Sequence, residues 1–498
     1  MTLKAAAGAG RARGYLRQAL MVVLINVPTI SFGLAMGWVS LASGEGGGDA
    51  GGEAGGEGDA AAVVRAAAVT FCASLLGVPL SARALAAGRK LAVVATSAAF
   101  LACWSLKLCG GGWWVLAARA CAGLGGAGAW AVAPLLAREM CSERVRGAAV
   151  AALVLAHNLG FLLMYLAADA QLPHRAVLWG CWALSAAHCA LFLLVPESPA
   201  FLAAQGKPDE ARAALAWLRG VPAVADGGAL DAELRALPPP DDALVSPFKL
   251  TKDMLSEPGR RRAFVLCLVV VVGQEACGVL ALLQFAERVF VLARDAAGGA
   301  GAAGGAAGEE GALGSPARHA VLLGAAQLVA SALALYLVEK VGRKRLIVWC
   351  GVATGLCLLG GAGAAWAGLG GAWAGALLAA AVFADSAGLQ PAPYAMLADM
   401  FTYQYRGCAV ALVGLAAWGG NLAELVLFPL AARAAGLGAA LALAAALTLA
   451  LALYAQHALP ETRGRTPQEI YDIICPPAPA CDSVKTVDCT KQTDCTKM

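Results

Sequence analysis

Long apolar runs alternate with short polar stretches along the whole chain. Each run is close to the length of about 20 residues that crosses a bilayer as a helix. A helix satisfies its own backbone groups in lipid, so this pattern predicts a polytopic helical membrane protein. A charged stretch, 197–262, divides the runs six plus six. The twelve predicted spans are 18–42, 60–82, 91–109, 113–136, 148–168, 175–195, 263–291, 317–338, 346–367, 372–397, 408–432 and 437–458.

Composition supports the membrane assignment and excludes an ordinary soluble domain. The chain is 60% hydrophobic and only 14% charged, with a mean hydropathy of +0.69, whereas soluble domains carry about 25% charged residues. Most cysteines stand alone inside apolar runs, and those of the tail are too widely spaced for a zinc motif. No nucleophile–base set is recognisable. We therefore expect no enzyme activity, no cofactor, no bound metal and no nucleic-acid partner.

The distribution of basic residues predicts the topology. Lys and Arg cluster in the N-terminal tail and in short loops, whereas 43–60 has five acidic residues and neither Lys nor Arg. By the positive-inside rule, the basic segments are cytoplasmic and 43–60 is external. The first run is too long for the apolar core of a signal peptide, so it is expected to be a retained helix. The predicted divisions are a cytoplasmic N-tail (1–17), two six-helix bundles (18–196 and 263–459), a cytoplasmic loop with amphipathic helices (197–262), and a cytoplasmic C-terminal helix with a disordered tail (460–498).

Three polar motifs occur in both halves of the chain in the same order. Gly-Arg-Lys occurs at 88–90 and at 342–344. An acidic residue followed seven positions later by Arg-Gly occurs at Glu139 and again at Asp399. Pro-Glu-Ser begins at Pro196 and Pro-Glu-Thr at Pro460. Conserved order and spacing indicate that a six-helix unit has been duplicated, and parallel repeats of this kind place a solute site where the halves meet.

These motifs and their surroundings resemble the sugar porter family of the major facilitator superfamily. The resemblance is carried by both Gly-Arg-Lys motifs, AREMCSERVRG (137–147), PESPAFL (196–202), GQEACGVLALLQFAERVF (273–290), LVEKVGRKRL (337–346), GLQPAPY (388–394), ADMFTYQYRG (398–407), WGGN (418–421) and PETRGRT (460–466). GWVS (37–40) and Asn158-Leu-Gly are most like the insect facilitated trehalose transporter branch. The resemblance implies an all-α major facilitator fold of twelve transmembrane helices with short cytoplasmic helices. It also implies a monomer in the plasma membrane that facilitates transport of hexose or trehalose by alternating access.

The resemblance assigns the repeated charges to a cytoplasmic gate that pairs across the two bundles when the site faces outward. The alternative is that the loop arginines only enforce topology. One departure is Leu85, where the family has an acidic residue. The gate residues implied are Arg89, Glu139, Arg146, Glu197, Glu339, Arg343, Asp399, Arg406 and Glu461.

The resemblance also implies a solute site with amides for hydroxyl groups and aromatic faces for the sugar ring. The residues implied are Gln274, Glu275, Gln327, Tyr394, Trp418 and Asn421. Several family amides are replaced, by Val154, Leu280 and Ala417 among others, and Glu275 stands where the family has glutamine. These losses leave a carrier of another small solute as an alternative, and a non-transporting sugar sensor as a second.

Ionisable residues inside predicted spans are costly and usually functional. Arg119, Glu275 and Asp385 belong to this class, and Glu424 belongs to it unless it reaches the membrane surface. His157 and His188 are expected to be hydrogen-bonded packing residues. Ala35 occupies the position of the usual proton acceptor, which favours a uniporter. Coupling to protons through Glu275 remains the alternative.

Overall fold

The computed structural model describes residues 2–43, 57–221, 228–235, 237, 247–284, 316–368 and 371–476, and within these ranges the side chains of 143–148, among others, are not described. All secondary structure in these ranges is helical. The first half contains six long helices: α1 (Thr2–Ser43), α2 (Glu57–Ala87), α3 (Arg89–Cys109), α4 (Trp113–Met140), α5 (Glu143–Asp169) and α6 (His174–Leu193).

The polar stretch after α6 folds into short helices, as its amphipathic pattern predicts. They are α7 (Pro199–Ala204), α8 (Pro208–Arg219), α9 (Gly228–Arg235) and α10 (Pro247–Ser256). The α8 helix turns its apolar side inward, burying Leu215 and Leu218, and Arg219 forms an ion pair with Glu233 of α9. These contacts make the stretch a folded layer at one end of the long helices.

The second half repeats the long helices with two interruptions. Its elements are α11 (Pro258–Glu275), α12 (Val279–Gln284), α13 (Pro316–Val341), α14 (Arg343–Trp366), α15 (Gly371–Ala384), a π-helical turn (Asp385–Leu389), α16 (Pro391–Met400), α17 (Tyr403–Ala435), α18 (Leu437–Ala458) and α19 (Pro467–Ile474). Among the described residues, eleven helical stretches are long and apolar enough to cross a membrane. The predicted tenth span is not one of them because it is divided.

The predicted seventh and tenth spans, 263–291 and 372–397, are interrupted helices. The first breaks after Glu275, where Gly278 adopts a φ of +83° that other residues rarely adopt. The second passes through the π-helical turn into Pro391, whose ring removes a backbone donor. Helix α1 begins at Thr2, so residues 2–17 of the predicted N-tail are helical, and their cytoplasmic location remains a prediction. The continuations of the predicted seventh span beyond Gln284 and of the C-terminal tail beyond residue 476 lie outside the described residues.

The two halves are packed in different ways. In the first half, a Cβ on Gly33 would overlap the carbonyl oxygen of His157, and one on Gly123 would overlap that of Thr70. The α1–α5 and α2–α4 pairs therefore touch backbone to backbone. In the second half, Gly273 and Gly355 meet leucine side chains instead. At these glycines, the helix backbones of the first half approach each other more closely than those of the second half.

Direct contacts between the halves run from mid-height to the end opposite the repeated motifs. The amide of Asn158 donates to Ser331 Oγ at 2.5 Å, and the Tyr165 hydroxyl donates to the Leu283 carbonyl at 2.6 Å. Beyond them Asp169, the last residue of α5, lies 3.8 Å from Arg318 near the start of α13. These contacts bring the halves together on that side.

The outer surface is apolar, with tryptophans near the helix ends. Trp113, Trp179, Trp366 and Trp373 are each more than half exposed and lie at the end opposite the repeated motifs. Tryptophan is enriched at membrane–water interfaces because its ring is amphipathic. The exposed leucines and valines of the long helices lie between the two ends, as a surface in contact with lipid requires.

Candidate transport site and the repeated motif clusters

Glu275 and Tyr394 form the polar centre of the candidate solute site. The break after α11 leaves Glu275 half-buried, and the Tyr394 hydroxyl donates to its carboxylate at 2.9 Å. Gly420 of α17 packs against Glu275, because a Cβ built there would lie 3.2 Å from the Glu275 Cβ. Residues of α11, α16 and α17 therefore meet at this carboxylate.

Aromatic rings connect this centre with the first half. Tyr394 lies 6.4 Å from Trp130, Trp130 lies 5.7 Å from His157, and His157 stacks on Phe32 at 5.2 Å, all between ring centroids. Trp418 then contacts Phe32 at 5.7 Å. The resulting chain of rings passes between the halves twice.

Residues of this ring chain were missed by sequence reasoning. Phe32, Phe71 and Trp130 were not predicted as site residues, although Phe32 and Phe71 both contact Trp418. His157 was expected to be a packing residue with hydrogen bonds; it packs, but its Nδ1 has no hydrogen-bond partner in the described part of the chain. Apolar residues in membrane helices carry no signal of whether they face lipid or the partner half.

Two of the predicted amides lie beside the acids of the second half: Gln274 interacts with Asp385, and the half-buried Asn421 interacts with Glu275. Gln274 and Gln327 are buried, and the Oε1 atom of each has no partner among the described residues. Gln327 lies one helical turn before Ser331, whose hydroxyl donates to its backbone carbonyl at 2.8 Å. The Asn421 amide donates within its own helix, to Ala417, at 3.1 Å. Gln274 and Gln327 thus keep unused acceptors.

Ionisable residues buried away from the helix ends differ in sign between the described parts of the two halves. Arg119 is fully buried and donates to the carbonyls of Ala35 at 2.6 Å and Ala66 at 3.3 Å. Lys107, which sequence reasoning missed, places its ammonium 4.0 Å from the Trp38 ring centre. Both cations lie in the first half.

The second half holds buried acids instead. Asp385 begins the π-helical turn, 3.9 Å from the Cys277 sulfur. Glu424 is buried rather than at the surface, and it accepts the Ala281 backbone N–H at 2.7 Å. A carboxylate is stabilised there because the backbone donors at a helix start lack other partners.

The repeated motifs form one closed cluster in the first half. Arg89 donates to Glu139, at 3.1 Å for its closest contact, and Ser198 donates to the same carboxylate at 2.5 Å. The Glu197 carboxylate accepts the backbone N–H groups of Lys90 at 3.1 Å and Ser198 at 2.8 Å. Pro-Glu-Ser therefore supplies the cap for the start of α3.

The second half builds the same cluster from its own copies. Arg343 lies 2.9 Å from Asp399, and Thr462 donates to that carboxylate at 3.3 Å. The Glu461 carboxylate accepts the backbone N–H of Arg343, which begins α14, at 2.9 Å. Glu339 adds a longer contact of 3.5 Å with Arg343. The matching position of the first half is Leu85, which has no carboxylate, and Arg89 instead donates to the backbone carbonyl of Leu85 at 2.8 Å.

The ion pairs that the structure shows among these charges lie within each half. The pairing across the bundles remains a prediction for the opposite conformation. Arg406 donates to the Phe401 carbonyl at 3.2 Å, and the side chain of Arg146 lies outside the described set. In the regions that are described, no group of three or more His, Cys, Asp or Glu residues could hold a metal ion.

His188 is a packing residue as predicted, and both of its ring nitrogens have hydrogen-bond partners: one lies 2.6 Å from Ser97 Oγ and the other 2.8 Å from the Leu24 carbonyl.

Comparisons with known proteins agree with this architecture. The "Probable metabolite transport protein CsbC" of Bacillus subtilis (strain 168) is 25% identical over 370 residues, which are 72% of this chain and 73% of the relative. The "Facilitated trehalose transporter Tret1" of Aedes aegypti is 25% identical over 340 residues, 66% of this chain and 39% of the relative. Facilitated glucose transporter member 8 of Bos taurus is 28% identical, over 53% of this chain and 49% of the relative. The chain thus spans less than half the length of the last two.

Solved structures share the fold. An inward open conformation of the xylose transporter XylE from E. coli superimposes with a TM-score of 0.70 at 17% identity, covering 91% of this chain and 98% of that one. The proton:xylose symporter XylE bound to 6-bromo-6-deoxy-D-glucose gives 0.68 at 18% identity, covering 92% and 99%. The predicted twelve-helix major facilitator fold is therefore confirmed. Residues 59–473 match the family model described as Sugar (and other) transporter, and because this is most of the chain, the protein belongs to that family of membrane transporters.

Proposed function

We propose that this protein carries a sugar of hexose or trehalose size across the membrane by alternating access, without an added energy source. The observation that supports this most is the composition of the central site. Glu275 and Tyr394 come from the second half, and they meet Trp130 of the first half through ring contact. A solute between these residues touches both halves, so its passage is coupled to their relative movement.

The contacts between the halves support an inward-facing state. They join Asn158 to Ser331, Tyr165 to Leu283 and Asp169 to Arg318, from mid-height to the proposed external end. An outward-facing state must break them. The repeated charges at the other end then pair across the bundles, which is the proposed role of the cytoplasmic gate. Neither set of contacts can be strong, because a carrier needs two states of similar free energy.

The absence of an acid at position 35 supports passive transport. Ala35 contributes only its backbone carbonyl to Arg119. No acidic side chain in the described residues pairs with this arginine, so the first half offers no carboxylate there to take up a proton. We infer a uniporter, in which the electrochemical gradient of the solute itself, with no coupled ion, sets the direction of net flow.

We further propose the arrangement in the cell. The boundaries are those predicted from the sequence: bundles 18–196 and 263–459, with 1–17, 197–262 and 460–498 cytoplasmic. The positive-inside rule supports this orientation, because the basic loops lie at the motif end. The protein is proposed to be a monomer in the plasma membrane.

Uptake into proteoliposomes that contain the purified protein tests the proposal. Labelled glucose and trehalose should equilibrate across the membrane, and an imposed proton gradient should not drive accumulation. Glu275→Gln serves as the coupling control. Accumulation above the external concentration that disappears in Glu275→Gln would establish proton coupling and refute the uniporter.

A further inference from the structure

The central site lies beside an uncompensated group of acids. Glu275 is half-buried in the site, and Asp385 and Glu424 are buried behind it in the second half. Cys277, two residues after Glu275, lies near all three carboxylates and places its sulfur 3.9 Å from Asp385. In the described helices of this half, every Lys and Arg lies close to a helix end, far from this group. Of the buried cations in the described part of the chain, Lys107 and Arg119 belong to the first half, and Arg343 lies at the start of α14, away from this group.

Glu275 is less buried than the other two, and the Tyr394 hydroxyl and the Asn421 amide are its side-chain donors in the described part of the chain. Glu424 accepts a backbone N–H at a helix start, and the Gln274 amide interacts with Asp385. The side-chain donors that reach Glu275 in the structure are neutral, and Tyr394 is the nearest. A half-buried carboxylate served by neutral donors gains most from a cationic partner, because opposite charges attract more strongly when they are shielded from water.

The rings next to Glu275 suit the same kind of ligand. Tyr394 contacts Glu275 directly, and Trp130, His157, Phe32 and Trp418 continue from it as a chain of rings. Aromatic faces attract ammonium groups within about 6 Å of the ring centre. The unused acceptors of Gln274 and Gln327 provide oxygens for hydroxyl groups. Carboxylate, rings and amide oxygens together match a solute that carries both an ammonium group and hydroxyls.

We propose that this site favours a sugar bearing a protonated amine, such as a hexosamine, over a neutral hexose. The ammonium group binds the Glu275 carboxylate beside the Tyr394 ring, and the hydroxyls use the amides. This inference rests on the proposed sugar transport and specifies its substrate class. A carrier of this kind moves one positive charge with each solute, so an inside-negative membrane potential drives its accumulation.

The test compares D-glucosamine with D-glucose, which differ by an amine in place of one hydroxyl. Uptake of each is measured in proteoliposomes near neutral pH, with and without an inside-negative potential set by potassium and valinomycin. The parent should take up glucosamine about tenfold more efficiently than glucose, because one charge-assisted hydrogen bond changes an affinity by about this factor. Only glucosamine uptake should respond to the potential. Glu275→Gln should abolish the preference, so that its two sugars are taken up with similar efficiency. Glu210→Gln, at an exposed carboxylate on α8, should retain both.

The outcomes separate this inference from the proposed function. Glucose uptake with no preference for glucosamine, or a preference that survives in Glu275→Gln, overturns the inference and leaves sugar transport standing. Uptake of neither sugar overturns both. If Glu275→Gln is inactive, thermal stabilisation of the detergent-solubilised variant provides the second measurement, because a ligand stabilises the state that it binds. Equal stabilisation of parent and variant by glucosamine would contradict the role of Glu275.

Discussion

Gly342→Ala should be far more damaging than the same change at its repeat counterpart, Gly88. Gly342 precedes α14 with a φ of +100° and a ψ of 157°, a region that is essentially restricted to glycine. A Cβ there would also lie 2.6 Å from Glu461 Oε2. Gly88 has a φ of 167°, which is extended backbone open to any residue, and its Cβ would lie 3.1 Å from Glu197 Oε2.

The magnitude follows from two costs. The strained backbone costs about 1–3 kcal/mol. Displacing the Glu461 carboxylate weakens its bonds to the N–H groups of Arg343, Thr462 and Arg463, at 2.9, 3.0 and 3.1 Å, and losing one such charge-assisted bond costs about 1.5–3 kcal/mol. Gly342→Ala should therefore destabilise the protein by roughly 3–5 kcal/mol. Gly88→Ala requires a shift of a few tenths of an ångström, and its cost should stay below about 1 kcal/mol.

Thermal unfolding in detergent measures the difference. A change of this size should lower the apparent midpoint temperature of unfolding of Gly342→Ala by on the order of 10 °C, if the second half unfolds as a unit of about 200 residues. Scan rates must match, since such unfolding is commonly irreversible. Gly180→Ala is the control, because no atom lies within 4 Å of its Cβ and alanine favours a helix. Equal losses in Gly342→Ala and Gly88→Ala would refute the argument from backbone geometry and capping.

Three further predictions concern transport and topology. Tyr165→Phe removes a hydrogen bond between the halves, so it should shift the equilibrium toward the outward-facing state about fivefold. The accessibility of an introduced cysteine to a thiol reagent measures this shift, and Tyr336→Phe, at an exposed ring, is the control. The absence of a shift in Tyr165→Phe would contradict a role of this bond in closure. Arg406→Ala should reduce turnover more than substrate affinity in uptake assays, because it touches no solute, whereas an unchanged rate would mean that the motif only sets topology. Epitope tags at residue 50 and at the C-terminus should be accessible from opposite faces of intact cells, and labelling of both from outside would disprove the predicted orientation.

The sequence predicted the helices and the repeated motifs well, because both depend on local pattern. Apolar run length located the spans, and the motif spacing predicted which charges recur together. Sequence did not reveal that Glu197 and Glu461 cap helix starts, because the capped N–H groups of Lys90 and Arg343 lie more than 100 residues away. Such contacts are set by tertiary packing.

The helix breaks and the aromatic chain were not predictable for a different reason. Ala276–Gly278 is apolar, and Asp385 and Ser386 interrupt the tenth run for only two residues, so hydropathy marks neither break. Phe32 and Trp130 look like any lipid-facing residue in sequence. Glu275 and Tyr394 were predicted as site residues only through the family resemblance, and the structure adds that they bind each other.

The unequal packing of the halves has a consequence for how a duplicated gene diverges. Where Gly33 and Gly123 bring helix backbones into contact, almost any substitution forces the helices apart, so the first copy has little freedom to change. The second copy, with its interrupted helices and side-chain contacts, absorbs changes by local repacking. New solute preferences should therefore arise mainly by substitution in the second half, while the helix packing of the first half stays the same.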